Sequence, residues 1–216
     1  MQARNSTGKQ NAGRRTGGAS FTETGRRAQI VAAAIDVVAE VGYHRASFAK
    51  IAEHAGLSST GMISYHFKGR DDLMREVVIE VMQIAEGYIR PRIEAQESYA
   101  GRLRASIEGN LDLCAEYPKH LAAIVEILGN LRGDEAGAAA FHGAAEATLA
   151  VQVEQIRKAQ HAGEFCDFDP WVMMRAVRAA IDDVVRRVAH DPELDVRAAG
   201  RELADLFERA TSRRTS

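Results

Sequence analysis

The sequence predicts an all-α protein of nine helices, and three observations support this prediction. Alanine occupies 37 of the 216 positions, whereas aromatic residues make up only 6% of the chain. Apolar residues recur at intervals of three and four, and no segment alternates apolar and polar residues as a half-buried strand does. The four prolines lie between periodic segments. Together these features favour packed helices over sheets.

The first and fourth predicted helices are amphipathic. Apolar residues at helical spacing mark a helix over about residues 25 to 41, which Gly42 ends. A similar stripe marks a helix over about residues 71 to 90, with acidic residues in its first turn, where carboxylates are favourable. Pro91 is expected to follow the end of this helix.

Two short helices lie between them. Ser47 is expected to cap the first, which ends before Gly56, and Ser58 is expected to cap the second, which ends before Gly69. The turn between them is only three residues long, so the helices must cross steeply, with glycine at the corner. This pattern is a helix-turn-helix.

Five more helices follow from the same periodicity and from the proline positions. Asp169 and Asp191 each precede a proline and are expected to cap the last two helices. The five helices cover about residues 100 to 116, 118 to 131, 134 to 161, 170 to 189 and 193 to 211.

Charge divides the chain into unlike parts. The formal net charge is −2, but residues 1–70 carry +6 and residues 71–216 carry −8. We predict a disordered basic tail over residues 1–23, a helix-turn-helix domain over 24–70, and a larger helical domain over 71–216. A basic amino-terminal third indicates contact with a polyanion, and charge alone leaves nucleic acid and an anionic membrane equally open.

The sequence lacks the signals that mark membrane proteins, secreted proteins, enzymes and metalloproteins. No apolar run approaches the roughly 18 residues that cross a bilayer, and the amino terminus lacks the apolar stretch of a signal peptide. We therefore expect a cytoplasmic protein with no membrane partner. The seven histidines include no i, i+4 pair, and no nucleophile elbow or phosphate-cradling glycine loop occurs, so we expect neither an enzyme nor a metal or cofactor. Cys114 and Cys166 are expected to be reduced core thiols, with a redox role as the alternative.

The second short helix is the predicted DNA-reading element. Its apolar residues point inward, which leaves small and hydrogen-bonding groups able to approach base edges. These groups are Ser58, Ser59, Thr60, Ser64, Tyr65 and His66. The cap at Ser47 directs backbone N–H groups toward a phosphate, and Lys68 adds a positive charge. Helix capping alone would also explain either serine, and core packing would also explain Tyr65.

The segment from Arg26 to Leu73 carries a run of short motifs in a fixed order. They are Gly42-Tyr43, Ser47, Ile51-Ala52, Ala55-Gly56-Leu57-Ser58, His66-Phe67 and Lys68. In this order they resemble the TetR/AcrR family of transcriptional regulators. Two departures stand out, since Ser64 occupies the family's phosphate-binding tyrosine position and the stretch from Gly56 to Phe67 is one residue longer than the commonest spacing. The resemblance therefore bears more directly on Ser47 and Lys68 than on residues 59 to 66.

The resemblance implies that the remaining helices enclose a small-molecule effector and form a homodimer. Mostly apolar candidates for the effector pocket are Cys114, Tyr117, Ile127, Phe141, His142, Phe165, Trp171 and Met174. The last two predicted helices carry apolar stripes broad enough for a dimer interface, at Val177, Ile181, Val184, Val188, Leu203 and Phe207. The alternative for either set is an ordinary protomer core.

These features together predict a ligand-responsive transcriptional regulator. Two reading helices about one duplex turn apart would let a two-fold dimer bind a pseudo-palindrome in double-stranded DNA. The resemblance favours a repressor that releases this operator when the effector binds. The alternative is a ligand-independent DNA binder or a protein-interaction scaffold on the same fold.

Overall fold

The fold is helical throughout the segments that the structure describes. The computed structural model describes residues 21–130, 135–188, 191 and 193–212, and these residues form nine α-helices, a 3-10 helix (Tyr43–Arg45) and no strand. The α-helices are α1 (Phe21–Val41), α2 (Phe48–His54), α3 (Gly61–His66), α4 (Arg70–Glu94), α5 (Tyr99–Glu116), α6 (Pro118–Asn130), α7 (Glu135–His161), α8 (Pro170–Val188) and α9 (Val196–Thr211). The all-α prediction is confirmed, and residues 1–20 of the predicted tail lie outside the described residues.

The start of α3 differs from the prediction. This helix begins at Gly61, so Ser58 does not cap it. Thr60 occupies the N-cap position but accepts no capping hydrogen bond through its side chain. Several serines and threonines follow one another here, and sequence alone does not rank them as caps.

The starts of α1 and α9 also differ. α1 begins at Phe21, inside the segment assigned to the tail. α9 begins at Val196 rather than 193, because Asp195 accepts a hydrogen bond from the N–H of Ala198 at 2.9 Å. The cap predicted at Asp191 was therefore wrong.

The proline in α4 does not end the helix. α4 continues past Pro91 to Glu94, and the N–H of Ala95 donates to the Pro91 carbonyl at 3.0 Å. Proline lacks an N–H of its own, but in the last turn this removes little of the ladder. The helix end predicted near residue 90 was wrong by one turn.

An amino-terminal core packs α1, α2 and α3 against α4 and α6. Ile30, Ile51 and Ile63, one each from α1, α2 and α3, are fully buried. Leu73 of α4 and Ile127 of α6 belong to the same cluster. The helix-turn-helix therefore packs on residues well beyond position 70, where sequence places the end of the first domain.

A second core lies among α5, α7, α8 and α9. Ile107 of α5, Val153 of α7, Ile181 of α8 and Phe207 of α9 are buried together. α5 and α9 approach each other at Gly200, where an added Cβ would lie in ordinary van der Waals contact, 3.5 Å from the Cβ of Leu111. Burying these apolar side chains is the main source of stability in this half of the molecule.

Candidate nucleic-acid interface

The turn between α2 and α3 fixes the angle between the two helices. Gly56 has φ of +64°, a left-handed conformation that side chains rarely adopt. The N–H of Leu57 donates to the Ala52 carbonyl at 2.8 Å, which closes the end of α2. From α1, the Gln29 side chain donates to the Ala55 carbonyl at 2.7 Å. The corner is thus held by its own backbone and by the neighbouring helix.

Ser47 and Lys68 lie at the two ends of the helix-turn-helix, and both are exposed. The Ser47 hydroxyl accepts a hydrogen bond from the N–H of Lys50 at 3.3 Å, which confirms the predicted cap of α2. The N–H of Lys68 donates to Asp72 at 3.0 Å, and this bond lowers the pKa of the Asp72 carboxyl. The backbone of Lys68 is therefore anchored to α4, and its side chain is accessible at the surface.

The outer face of α3 and the loop before it carry the predicted reading residues. Ile63 and Phe67 are buried, whereas Ser58, Ser59, Thr60 and Ser64 are exposed. Tyr65 is 74% exposed and meets the half-buried His66 edge to face, with ring centroids 5.0 Å apart. Tyr65 is therefore not a core aromatic. The structure leaves all six reading candidates at least partly accessible.

Two arginines that brace this unit were missed in the sequence. The Arg70 guanidinium lies over the Tyr43 ring, 4.3 Å from its centroid, and donates to the Tyr43 carbonyl. The Arg27 guanidinium lies at the same distance over the Phe67 ring. A basic composition indicates that arginines are present, but nothing in their spacing tells which of them faces inward.

A polar contact ties α6 to α1. Lys119 of α6 donates to Asp36 of α1 at 2.9 Å, and the other Asp36 oxygen lies 3.1 Å from Nε2 of His54 on α2. The hydrogen bond from Lys119 is the main reason why the pKa of Asp36 is lowered, and it raises the pKa of Lys119 in turn. Asp36 thus connects the body helix α6 to both α1 and α2.

A second polar contact lies at the other end of α6. The N–H of Tyr43 donates to the Glu126 carboxylate at 3.0 Å. Gly42, next to it, has φ of +80°, and a Cβ there would lie 3.3 Å from the same carboxylate. The positive φ therefore favours glycine at this position, beside the carboxylate of α6.

The candidate effector residues separate into different surroundings. Cys114, Phe165 and Met174 are buried in the second core, and Trp171 packs against it. Tyr117 is half-buried and meets Tyr88 edge to face, Ile127 lies in the amino-terminal core, and the side chains of Phe141 and His142 lie outside the described residues. The set is therefore not one cluster, and its role stays a prediction.

The two cysteines lie in different surroundings. Burial raises the pKa of the Cys114 thiol to about 11, which favours the protonated thiol at neutral pH. Cys166 is partly buried, and both cysteines are free.

In the part of the chain that the structure describes, no group of three or more suitable side chains could hold a metal ion. No helix in that part has the length and apolar character needed to traverse a bilayer.

The predicted dimer residues lie mostly inside the protomer. Val177, Ile181, Val184 and Phe207 are at most 8% exposed in the single chain, and Val188 and Leu203 are half-buried. The large apolar side chains that α8 and α9 leave exposed are Val172, 66% exposed, and Leu206, 52% exposed. The four buried residues close the protomer core, so a partner that docks on these two helices would meet their outer faces.

Residues 30–77 match the family model described as bacterial regulatory proteins, tetR family. The HTH-type transcriptional regulator BetI 1 of Chromohalobacter salexigens is 34% identical over 88 residues, which cover 40% of this chain and 43% of that regulator. The chain thus spans less than half the length of the curated relatives it matches.

Two solved structures share the fold. A TetR transcription regulator from Haloarcula marismortui has a TM-score of 0.77 at 20% identity, over 88% of this chain and 100% of that chain. FadR from Bacillus subtilis, solved in complex with stearoyl-CoA, has a TM-score of 0.72 at 22% identity, over 83% of this chain and 96% of that chain. This chain has an amino-terminal helix-turn-helix packed on a helical body, and its residues 30–77 are similar to the TetR family of bacterial regulatory proteins.

Proposed function

We propose that the protein is a cytoplasmic transcriptional regulator that binds double-stranded DNA as a homodimer. The observation that carries this proposal is the exposed polar face of α3, which stands between the capped start of α2 at Ser47 and the exposed Lys68. The match of this segment to a family of regulators supports the same conclusion. The protein has no catalytic role in this proposal.

The body of the protein is proposed to bind a small molecule that weakens DNA binding. A ligand that prefers one conformation of the body shifts the position of the two reading helices, and a coupling of about 1 to 3 kcal/mol changes DNA affinity roughly 5- to 150-fold. Because FadR from Bacillus subtilis was solved with stearoyl-CoA, an acyl-CoA is the first class of effector to test. Repression relieved by this effector is the regulatory outcome that we propose.

The DNA-binding part is tested by selecting duplexes from a randomised pool with the purified chain. A selected pseudo-palindrome should bind more tightly than a scrambled duplex of equal length. The logarithm of affinity should fall linearly with the logarithm of salt concentration, with a slope of about −0.9 for each phosphate contacted. Failure to enrich any sequence, together with salt-independent binding, would contradict the proposal.

The effector part is tested separately with stearoyl-CoA. Trp171 is the only tryptophan in the chain and packs at the margin of the second core. Ligand entry near this core should change its fluorescence and lower affinity for the selected duplex. If stearoyl-CoA and shorter acyl-CoAs change neither quantity, the acyl-CoA assignment fails while the DNA-binding part stands.

A further inference from the structure

Arg27 of α1 contacts α4 and the carboxy-terminal end of α3, the proposed DNA-reading helix. Its Nη1 donates to the His66 carbonyl at 2.8 Å, and its Nη2 donates to Glu76 on α4 at 2.7 Å. Its guanidinium carbon lies 4.3 Å from the centroid of the Phe67 ring. A single side chain of α1 therefore contacts the last residue of α3, the residue that follows it, and α4.

A helix as short as α3 depends on such contacts. It contains only six residues, and a helix of this length is unstable on its own because nucleation is costly. The His66 carbonyl lies at the carboxy-terminal end, where carbonyls lack partners within the helix and a positive charge is favourable. The planar guanidinium can serve two acceptors and one ring face at once. Arg27 thus fixes the end of α3 that carries Ser64 and Tyr65.

The same side chain borders the exposed surface. Glu23, Thr24, Arg27, Tyr65 and His66 line an open depression of about 390 Å³ between α1 and α3. Proximity to the proposed DNA surface leaves two roles for Arg27. It could contact a phosphate directly, or it could hold the reading helix in place.

We propose that Arg27 is a positioning residue for DNA recognition. It sets the orientation of the last turn of α3, since both of its terminal nitrogens already donate to protein acceptors, one to His66 and one to Glu76. The inference rests on the proposed DNA-binding function and deepens it. A positioning role affects the ratio of affinities for the selected and scrambled duplexes, whereas a phosphate contact affects both affinities alike.

The decisive variant is Arg27→Lys, which keeps the positive charge but loses the planar fork. We expect the specificity ratio to fall about tenfold, a typical effect of one lost base contact, with the salt slope unchanged. Glu76→Gln keeps the size of the acceptor and should lower the ratio by a smaller factor, since the bond to His66 remains. Thermal unfolding followed by circular dichroism checks that both variants are folded.

The neighbouring Arg26 supplies the control. Its guanidinium donates to Gln29 on its own helix, at 2.8 Å, and contacts no residue of α3 through a hydrogen bond. Arg26→Met should therefore leave the specificity ratio unchanged, whether or not it alters the salt slope. Arg27→Met serves as the comparison for charge removal.

Two results would overturn the positioning role. One is a wild-type specificity ratio in folded Arg27→Lys, and the other is an equal loss for both duplexes in Arg27→Met with the salt slope reduced by about 0.9. If the wild-type chain selects no duplex at all, the proposed function fails together with this inference. Loss of the Arg27 effect alone, with selective wild-type binding, overturns only the inference.

Discussion

Ser47 and Ser58 precede successive short helices, yet only Ser47 caps its helix through the side chain. Ser47→Ala should lower the free energy of unfolding by about 1 kcal/mol, because the bond to the N–H of Lys50 is lost. Ser58→Ala removes no capping bond and should change this free energy by less than about 0.5 kcal/mol. Urea denaturation followed by circular dichroism measures both. Equal losses would show that Ser58 caps α3 in solution.

Lys68 and Thr60 should affect DNA binding in different ways. Lys68→Ala is expected to weaken the selected and scrambled duplexes alike and to reduce the salt slope by about 0.9, since the contact proposed for Lys68 is with phosphate, which carries no information about the bases. Thr60→Val removes a hydroxyl that is proposed to contact a base edge, so it should relax preference at one base position. Because this hydroxyl makes no capping bond, the change should leave the free energy of unfolding unaltered. A specificity change in Lys68→Ala and none in Thr60→Val would reverse the two assignments.

Individual side chains were predictable where periodicity decides their direction. Helical spacing correctly placed Ile63 and Phe67 inside, and it left Tyr65 as either core or surface. Arg26 and Arg27 are adjacent and chemically identical, so their different roles depend on where α3 and α4 lie. That information is contained in tertiary contacts and not in local sequence.

Elements were predicted more reliably than their ends. The seven longer helices are readable because an apolar stripe recurs over several turns. The ends depend on competition between nearby signals, as Asp195 rather than Asp191 shows at α9, and as the continuation past Pro91 shows at α4. Caps differ by about 1 kcal/mol or less, and packing of the helix face outweighs such differences.

The contact between α6 and α1 should depend on pH through Asp36. Its pKa is lowered in the folded chain, first by the hydrogen bond from Lys119 and also by His54, and Lys119 also contacts Glu40 at 3.3 Å. A lowered pKa means that the stabilisation is present above the pKa of an unfolded aspartate, about 3.9, and is lost as the pH falls through the folded value. Asp36→Asn should therefore lower the thermal midpoint at neutral pH and match the wild type in acid.

The exposed pair of Asp183 and Arg186 on α8 provides the control for this experiment. It lies within one helix at 3.3 Å and ties no two elements together. Exposed pairs of this kind contribute little, so Asp183→Asn should leave the thermal midpoint nearly unchanged at every pH. A difference between wild type and Asp36→Asn that persists or grows in acid would contradict the role assigned to Asp36.

At the scale of the whole molecule, the two cores meet along α6. Ile127 and Ala123 pack with the helix-turn-helix, while Leu121 packs against the second core. Composition and charge indicate two unlike halves but do not reveal that a helix from the second half completes the core of the first. The boundary expected at residue 70 follows local motifs, whereas the core depends on contacts between distant segments.

The proposed dimer interface is the least predictable feature because an apolar stripe does not identify what covers it. Val177 of α8 and Phe207 of α9 are buried in the protomer core, whereas Leu206 is 52% exposed on the outer face of α9. We expect Leu206→Glu to convert the proposed dimer to monomers, since it places a charge in a contact that association would desolvate. Ile79→Glu, at a comparably exposed apolar side chain of α4, should remain dimeric. Sedimentation equilibrium distinguishes the two, and a dimeric Leu206→Glu chain would place the interface elsewhere. Because a monomer reaches only one half-site, Leu206→Glu should also lose most of its preference for the full palindrome while Ile79→Glu retains it.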